Sequence, residues 1–326
     1  MTDREKLLTR ATNIVQEDWQ LTDAAVTWLS FTHHAVFEVQ HSDHTYILKM
    51  LSDSDIAPEN AIEREYRILS ALADVLQGIP TIVQNADSMP LIAEKDGYVY
   101  AVLYHKYGGT SPSNQTITPD TMVRLGEWLG NLHNAQIDTT NLPLIQLDWE
   151  GLFSERGVYH PGDENMDIFT DQQIDIMSTV TLRIQRIMED IFDSEDDTYG
   201  LIHGDLLLMN LLLDDADNAL HVLDFEYCGH GYYLYDLTPS LWQLKTNANY
   251  EALASSLWNA YVKVRPQVQE HYKWLETLIA GRQVASMRWV VANQQNPYVV
   301  GKVDSILAQR TAELSAFLDT GTLIRA

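Results

Sequence analysis

A chain of 326 residues that is 45% hydrophobic can bury a large core, and it sits at the size where one core commonly gives way to two. Its 46 acidic side chains against 21 lysines and arginines give a formal charge of -25, a balance that repels nucleic acid and anionic membrane and so argues against both as partners. No run approaches the roughly 18 to 20 uncharged apolar residues of a membrane span. The charged start of the chain lacks the apolar stretch of a signal peptide and Cys228 is the single cysteine, so the composition places the protein in the cytoplasm.

Leu7, Leu8, Ala11, Ile14 and Val15 recur at helical spacing and predict an opening amphipathic helix over 5–17. Three short segments of strand composition come next at 25–29, 35–40 and 45–50, separated by polar turns, and an antiparallel meander is their economical arrangement. Residues 59–75 repeat Ile62, Tyr66, Leu69 and Leu72 on one helical face, with Gly78 and Pro80 as the stop. Further strands are expected at 81–83, 90–94 and 98–104. The polar stretch 105–114, with Gly108, Gly109 and Pro112, is the best linker. Beyond it the periodicity is mostly helical, at 118–134, 172–192, 234–244, 250–264, 270–293 and 303–318, interrupted by short strands within 199–224. Gly229-His230-Gly231 is expected to be a turn. Trp242, Trp258, Trp274 and Trp289 fall on predicted helices as core residues.

Chemistry concentrates in 201–237. His203-Gly204-Asp205 is followed by Asn210, then fourteen residues later by Asp224-Phe225-Glu226, then by Gly229, Gly231 and Asp236-Leu237. Phosphoryl transfer asks a protein for a carboxylate that accepts the proton of the attacking hydroxyl and for oxygen ligands to a magnesium ion on the phosphates. Asp205 suits the first task, and Asn210 with Asp224 the second, because hard cations choose oxygen ligands.

This pattern resembles the aminoglycoside phosphotransferase and choline kinase superfamily, which includes homoserine kinases and is built on the protein-kinase-like fold. The resemblance implies an α+β, two-lobed molecule. An antiparallel N-terminal lobe with a helix, 1–104, would bind nucleotide; 105–114 would be the hinge; a larger, mainly helical lobe, 115–326, would hold catalysis and the substrate. It implies Asp205 as the catalytic base, Asn210 and Asp224 as magnesium ligands, and His203 and Asp236 as braces behind the loop. Upstream, Lys49 closes an apolar strand where the family keeps the lysine that touches the phosphates, and Glu65 resembles the glutamate that pairs with it, with Glu63 a competing choice. Tyr104 and Tyr107 would lie at the adenine. Leu125-Gly126 through Gly130, Leu132 and His133 resemble a family helix in which small residues permit tight packing. The implied reaction moves the γ-phosphate of ATP, or of GTP as the alternative donor, to a hydroxyl of a small molecule with Mg2+ as cofactor: an amino alcohol, amino sugar, aminoglycoside or homoserine-like acceptor.

Two features depart from the family pattern. The loop expected over the phosphates, residues 30–34, has no glycine, so its amides and the Ser30 and Thr32 hydroxyls would have to serve. The catalytic loop carries Leu206, Leu207 and Leu208 where relatives often have polar or basic groups. The adjacent His33 and His34 would point to opposite sides of an extended segment, which argues against a metal site. Glu226 would either join the metal ligands or cap a turn, the turn being preferred. Asp163, Glu164, Asp167 and Asp171 would either cradle an amine or form a solvated loop, again with the second preferred. Two other functions compete. A protein serine/threonine kinase needs a long activation segment, yet only eleven residues separate Asp224 from Asp236. A nucleotide-binding pseudokinase conflicts with the full set of candidate catalytic groups.

Overall fold

The computed structural model describes residues 3–31, 34–51, 61–85, 92–93, 100–192, 197–214 and 219–323. The chain divides into two compact units, each discontinuous in sequence. The first comprises Met1–Thr110, Gln136–Pro143 and Asp214–Tyr227, and the second Ser111–Ala135, Leu144–Leu213 and Cys228–Ala326.

In the first unit, helix α1 (Asp3–Glu17) precedes strands β1 (Ala25–Phe31), β2 (Ala35–His41) and β3 (His44–Leu51), then helix α2 (Ala61–Leu72) and strands β4 (Ile82–Val83), β5 (Ile92–Ala93) and β6 (Tyr100–His105). The sheet runs β1-β2-β3-β6-β4, with β5 also on β6, and every pairing is antiparallel, as the alternating sequence predicts. Period-two alternation sends Ala35, Phe37 and Val39 of β2 to one face, where they meet Leu48 and Met50 of β3. The apolar stripe of α1, Ala11, Ile14 and Val15, packs into the same core, and Trp19 donates its indole N–H to the Val83 carbonyl at 2.9 Å. The short β4 and β5 and the end of α2 fall inside the predicted spans, while 59–60, 86–91 and 94–99 lie outside the described residues.

The second unit opens with helix α3 (Pro119–Asn134), capped by the Thr118 hydroxyl, followed by strand β7 (Ile145–Leu147) and helices α4 (Trp149–Phe153) and α5 (Asp171–Phe192). Strand β8 (Tyr199–Ile202) leads into the loop that carries Asp205. Strands β9 (Leu211–Asp214), which ends this stretch, and β10 (Ala219–Val222), which belongs to the first unit, come next, before β11 (Gly229–Tyr232) and helices α6 (Tyr233–Asp236), α7 (Thr238–Leu244), α8 (Tyr250–Val264), α9 (Leu275–Ala292) and α10 (Val303–Thr320). The expected helix 234–244 is thus broken at Leu237. The expected helix 270–293 begins as a 3-10 segment over Pro266–Trp274.

The structure corrects three expectations. Gly229-His230-Gly231 is not a turn but most of β11, the middle strand of a sheet ordered β7-β11-β8. Its glycines are there for close approach: a Cβ at Gly229 would lie 2.3 Å from the Ile145 carbonyl, and one at Gly231 would lie 2.4 Å from Ile202 Cδ1. Secondly, β7, α4 and a 3-10 segment over Asp163–Ile168 stand between the helices expected at 118–134 and 172–192, where no element is predicted; Asp163, Glu164 and Asp167 lie on that 3-10 segment and Asp171 begins α5, and all four are exposed to solvent. Lastly, of the four tryptophans placed in the core only Trp258 is buried; Trp242, Trp274 and Trp289 are half-buried.

The small-residue helix behaves as expected. A Cβ on Gly126 of α3 would meet the Leu257 carbonyl of α8 at 2.4 Å, and one on Gly130 would meet Val264 at 2.6 Å, so the two helices come together at backbone distance. Helix α9 is buried on nearly every side, packed against α5, α7 and α10. A helix in that position needs partners inside the protein for its polar residues, and α9 carries Arg282, Gln283 and Ser286 in its middle.

Candidate active site

In the second unit β8 delivers the chain to His203, and the Asp236 carboxylate organises the loop beyond it. Its Oδ2 accepts the backbone N–H of His203 at 2.8 Å and lies 3.2 Å from His133 Nε2, while Oδ1 accepts the Gly204 N–H at 2.8 Å. Burial disfavours this carboxylate, yet the side-chain hydrogen bond of His133 and the backbone N–H of His203 outweigh it and hold Asp236 below the usual aspartate range. Burial lowers His133 as well. Gly204 has φ +82, a left-handed conformation that glycine adopts without the Cβ penalty, and this turn brings Asp205 out of the loop. The Asp205 N–H lies 3.3 Å from His203 Nδ1, and the Asp205 carbonyl accepts both the Leu207 N–H at 2.8 Å and Asn210 Nδ2 at 2.9 Å. Leu206 and Leu208 are buried, so these apolar loop residues are its anchors in the core. Ser240 donates to the Leu206 carbonyl, and the Leu208 N–H donates to Gln243 Oε1. The backbone is held on every side, while the Asp205 side chain keeps 20% of its surface.

That carboxylate has a partner that sequence reasoning missed. Arg282 of α9 donates from Nη2 to Asp205 Oδ1 at 2.5 Å and from Nη1 to the Tyr159 hydroxyl at 2.6 Å. Burial works against the guanidinium, but the phenol oxygen of Tyr159, the Asp205 carboxylate and the Tyr235 phenol raise it above its ordinary value, so it is a permanent cation. The signal available in the sequence was an arginine in the middle of an otherwise apolar helix.

In the first unit Lys49 of β3 gathers three carboxylates. Its ammonium lies 2.7 Å from Glu65 Oε2, 2.8 Å from Asp224 Oδ1 and 3.3 Å from Glu226 Oε2. Burial opposes the charge of Lys49, but Asp224, Glu65 and Glu226 together hold it well above the usual lysine value. Burial raises Glu65, with the Lys49 charge acting the other way. Glu63, the competing choice, pairs instead with Arg67 on the surface. Glu226 does not cap a turn through its side chain: it is buried, meets His34 Nε2 at 2.5 Å as well as Lys49, and its carbonyl accepts Arg64 Nε at 3.0 Å. His34 is therefore a carboxylate partner, while His33 lies outside the described residues. Asp224 has φ +70, a conformation that costs a non-glycine residue about 1–2 kcal/mol and is tolerated best by Asp and Asn.

Three more predicted site residues, Ser30, Tyr104 and Tyr107, have definite places. Ser30 is exposed at the end of β1, and Thr32 lies outside the described residues. Tyr104 is buried in β6, and burial, then the Glu65 charge, raises its phenol well above the ordinary value. Tyr107 donates to the Ile79 carbonyl at 2.9 Å, pairs with the Thr81 hydroxyl at 2.6 Å and stacks on His221 at 4.0 Å. As magnesium ligands the donor types of Asn210 and Asp224 fit. Asn210 spends its Nδ2 on the Asp205 carbonyl, which turns its amide oxygen the other way, and the Asp224 side chain is 37% exposed beyond its contact with Lys49. No helix among the described residues is long and apolar enough to cross a membrane.

Known proteins give this geometry a family. Residues 30–271 match the model of the APH phosphotransferase enzyme family. A homoserine kinase of Methylobacillus flagellatus is 29% identical over 134 residues, 40% of this chain, and the match spans only 39% of that kinase. Among solved structures, a microcompartment-associated aminopropanol kinase superposes with a TM-score of 0.80 at 22% identity, covering 97% of this chain and 99% of its own. An amicoumacin kinase in complex with AMP-PNP, Ca2+ and Ami reaches 0.70 at 15% identity over 97% and 94% of the two chains. An ethanolamine kinase of Plasmodium vivax also reaches 0.70, at 12% identity over 98% and 91%. With both the family model and the fold in agreement with the H-G-D and D-F motifs, the chain belongs to the APH phosphotransferase enzyme family and has its protein-kinase-like fold.

Proposed function

We propose that this protein is a cytoplasmic, ATP-dependent phosphotransferase that places the γ-phosphate on a hydroxyl of a small molecule, with Asp205 as the base. The observation that carries the reading is the contrast at the H-G-D loop: the neighbouring polar groups are spent on holding the backbone, while the Asp205 carboxylate stays partly open. In this mechanism Asp205 accepts the proton as the acceptor oxygen bonds to the γ-phosphorus, and the bond to the ADP oxygen breaks. Arg282 orients the carboxylate from behind. Asp236 with His203 keeps the loop rigid, which matters because a base misplaced by about 1 Å can lose a factor of about 100. Lys49, steadied by Glu65, binds the phosphates; Ser30 and Thr32 contribute above them; Tyr104 and Tyr107 border the adenine. Asn210 and Asp224 would hold magnesium, which when bound neutralises the charge of the phosphates. The first unit is accordingly the nucleotide lobe and the second the catalytic and acceptor lobe.

The test is magnesium-dependent transfer from labelled ATP across hydroxylated acceptors, comparing wild type with Asp205→Asn and including one generic protein substrate. Labelling of a soluble acceptor that the variant loses supports the reading. Labelling of protein alone, or nucleotide binding with no labelled product, refutes it.

A further inference from the structure

The acceptor lobe of this acidic chain contains a buried region of opposite sign. The half-buried indole of Trp242 on α7 is ringed by three cations: Arg310 of α10 at 5.4 Å, Lys245 at 5.7 Å and Arg282 at 5.9 Å from its centroid. Two carboxylates answer them. Asp205 takes Arg282, and Glu313, itself buried, takes Lys245 at 2.5 Å. Gln283 ties the set together, accepting the indole N–H at 2.5 Å and donating to Glu313. Three cations thus face two carboxylates, and the surplus positive charge falls on Arg310.

Arg310 is half-buried. Its Nη1 donates to the Ser286 carbonyl at 2.7 Å, and no ion pair joins it among the described residues. Burial lowers it to about 10, partly offset by Glu313 and reinforced by Arg282, which is the signature of a cation held with too little countercharge. Two further donors in the same place lack a hydrogen-bond partner among the described residues. They are the Ser286 hydroxyl, on the residue that holds Arg310, and Arg282 Nε; both residues are more than nine-tenths buried. Buried donors left unsatisfied cost about 1–3 kcal/mol each, so a site that retains them beside a surplus cation suits a bound acceptor of charge.

Resting on the phosphotransfer reading of Asp205, we propose that the acceptor carries a single negative charge, a carboxylate, and that Arg310 with Ser286 recognises it beside Trp242. The substrate class is then a small hydroxy acid or hydroxy amino acid, not a simple amino alcohol, whose ammonium group alone would enter a region already rich in cations. The surplus of one charge suits a monoanion.

Matched pairs that differ only by the carboxylate test this directly: L-homoserine against 3-aminopropan-1-ol, L-threonine against 1-aminopropan-2-ol, and L-serine against ethanolamine. Binding by calorimetry and turnover with ATP are both measured, for wild type, Arg310→Gln and Arg310→Lys. In at least one pair the acid should bind about tenfold or more tightly than its amine partner, the scale of a desolvated charge pair. Arg310→Gln should reduce that preference to about twofold or less through KM, with kcat little changed, and Arg310→Lys should keep part of it. Equal or better binding of every amine, binding of neither member in all pairs, or a preference that survives Arg310→Gln overturns the proposal. The two readings fail separately: Arg310-dependent binding of an acid without any phosphorylated product refutes the kinase reading alone, whereas phosphorylation of amines in preference to acids refutes only the carboxylate site.

Discussion

The clusters around Lys49 and around Trp242 are built from the same residue types in opposite proportion. At Lys49 one ammonium serves Glu65, Asp224 and Glu226, with His34 on the last. At Trp242 three cations share two carboxylates. A formal charge of -25 describes neither of them, since it is carried largely by solvated side chains. Net charge therefore bounds partners that meet the whole surface, such as nucleic acid, while the chemistry of a small ligand is set by which buried helix or strand supplies the local charge.

The largest difference between the clusters should appear in kinetics. Asp205→Asn keeps the size of the side chain and removes the base, and it should lower kcat by about 10²–10⁴-fold in a product-based assay. A variant within about tenfold of wild type would remove Asp205 from the chemistry. Next comes stability at the other cluster. Lys49→Met leaves Glu65 and Glu226 buried without their cation, and urea unfolding should register a loss of about 3–5 kcal/mol, Asp224 being too exposed to add much. Adding Glu65→Gln to Lys49→Met should recover part of it, and no recovery would mean that the loss is packing and not charge.

A smaller effect is expected at the α3–α8 contact, which serves as an uncharged control. Gly126→Ala forces a methyl against the Leu257 carbonyl and should cost about 1–3 kcal/mol by the same assay. The smallest is a pH effect behind the Asp205 loop. His133 is lowered by burial, so below the unfolded value of about 6.5 the unfolded chain binds a proton that the folded chain refuses, and stability falls as pH falls. Asp236 adds to this at lower pH: its folded value lies below 3.8, so its contribution is present above that value and is lost as pH drops through the folded one. His133→Gln should flatten the stability profile between about pH 7 and 5, where the slope from one proton is at most about 1.4 kcal/mol per pH unit. An unchanged slope would place the acid sensitivity elsewhere.

How much of this was legible in the sequence depends on how local each signal is. The sheet of the first unit could be read because period-two alternation and polar turns are contiguous. The break at Leu237 and the 3-10 start of α9 could not, because a helical apolar pattern does not distinguish one helix from two. The glycines of Gly229-His230-Gly231 signal a turn in the sequence because glycine usually marks one, whereas in β11 they permit close strand packing against Ile145 and Ile202. For Glu226 the neighbouring sequence offers only a metal ligand or a turn cap, because its actual partners Lys49 and His34 lie 177 and 192 residues away.

By itself the sequence determined the residues that a compact motif keeps together: His203, Gly204, Asp205 and Asn210, the Asp224-Phe225 pair, and through them the family. The choice of Glu65 over Glu63 for Lys49, the pairing of Asp205 with Arg282 and the surplus cation at Arg310 were decided by tertiary structure alone. The ion pairs that settle them join residues 16 to 77 positions apart, and a charge inside a helix carries no mark of which buried group it will meet until packing brings the two together.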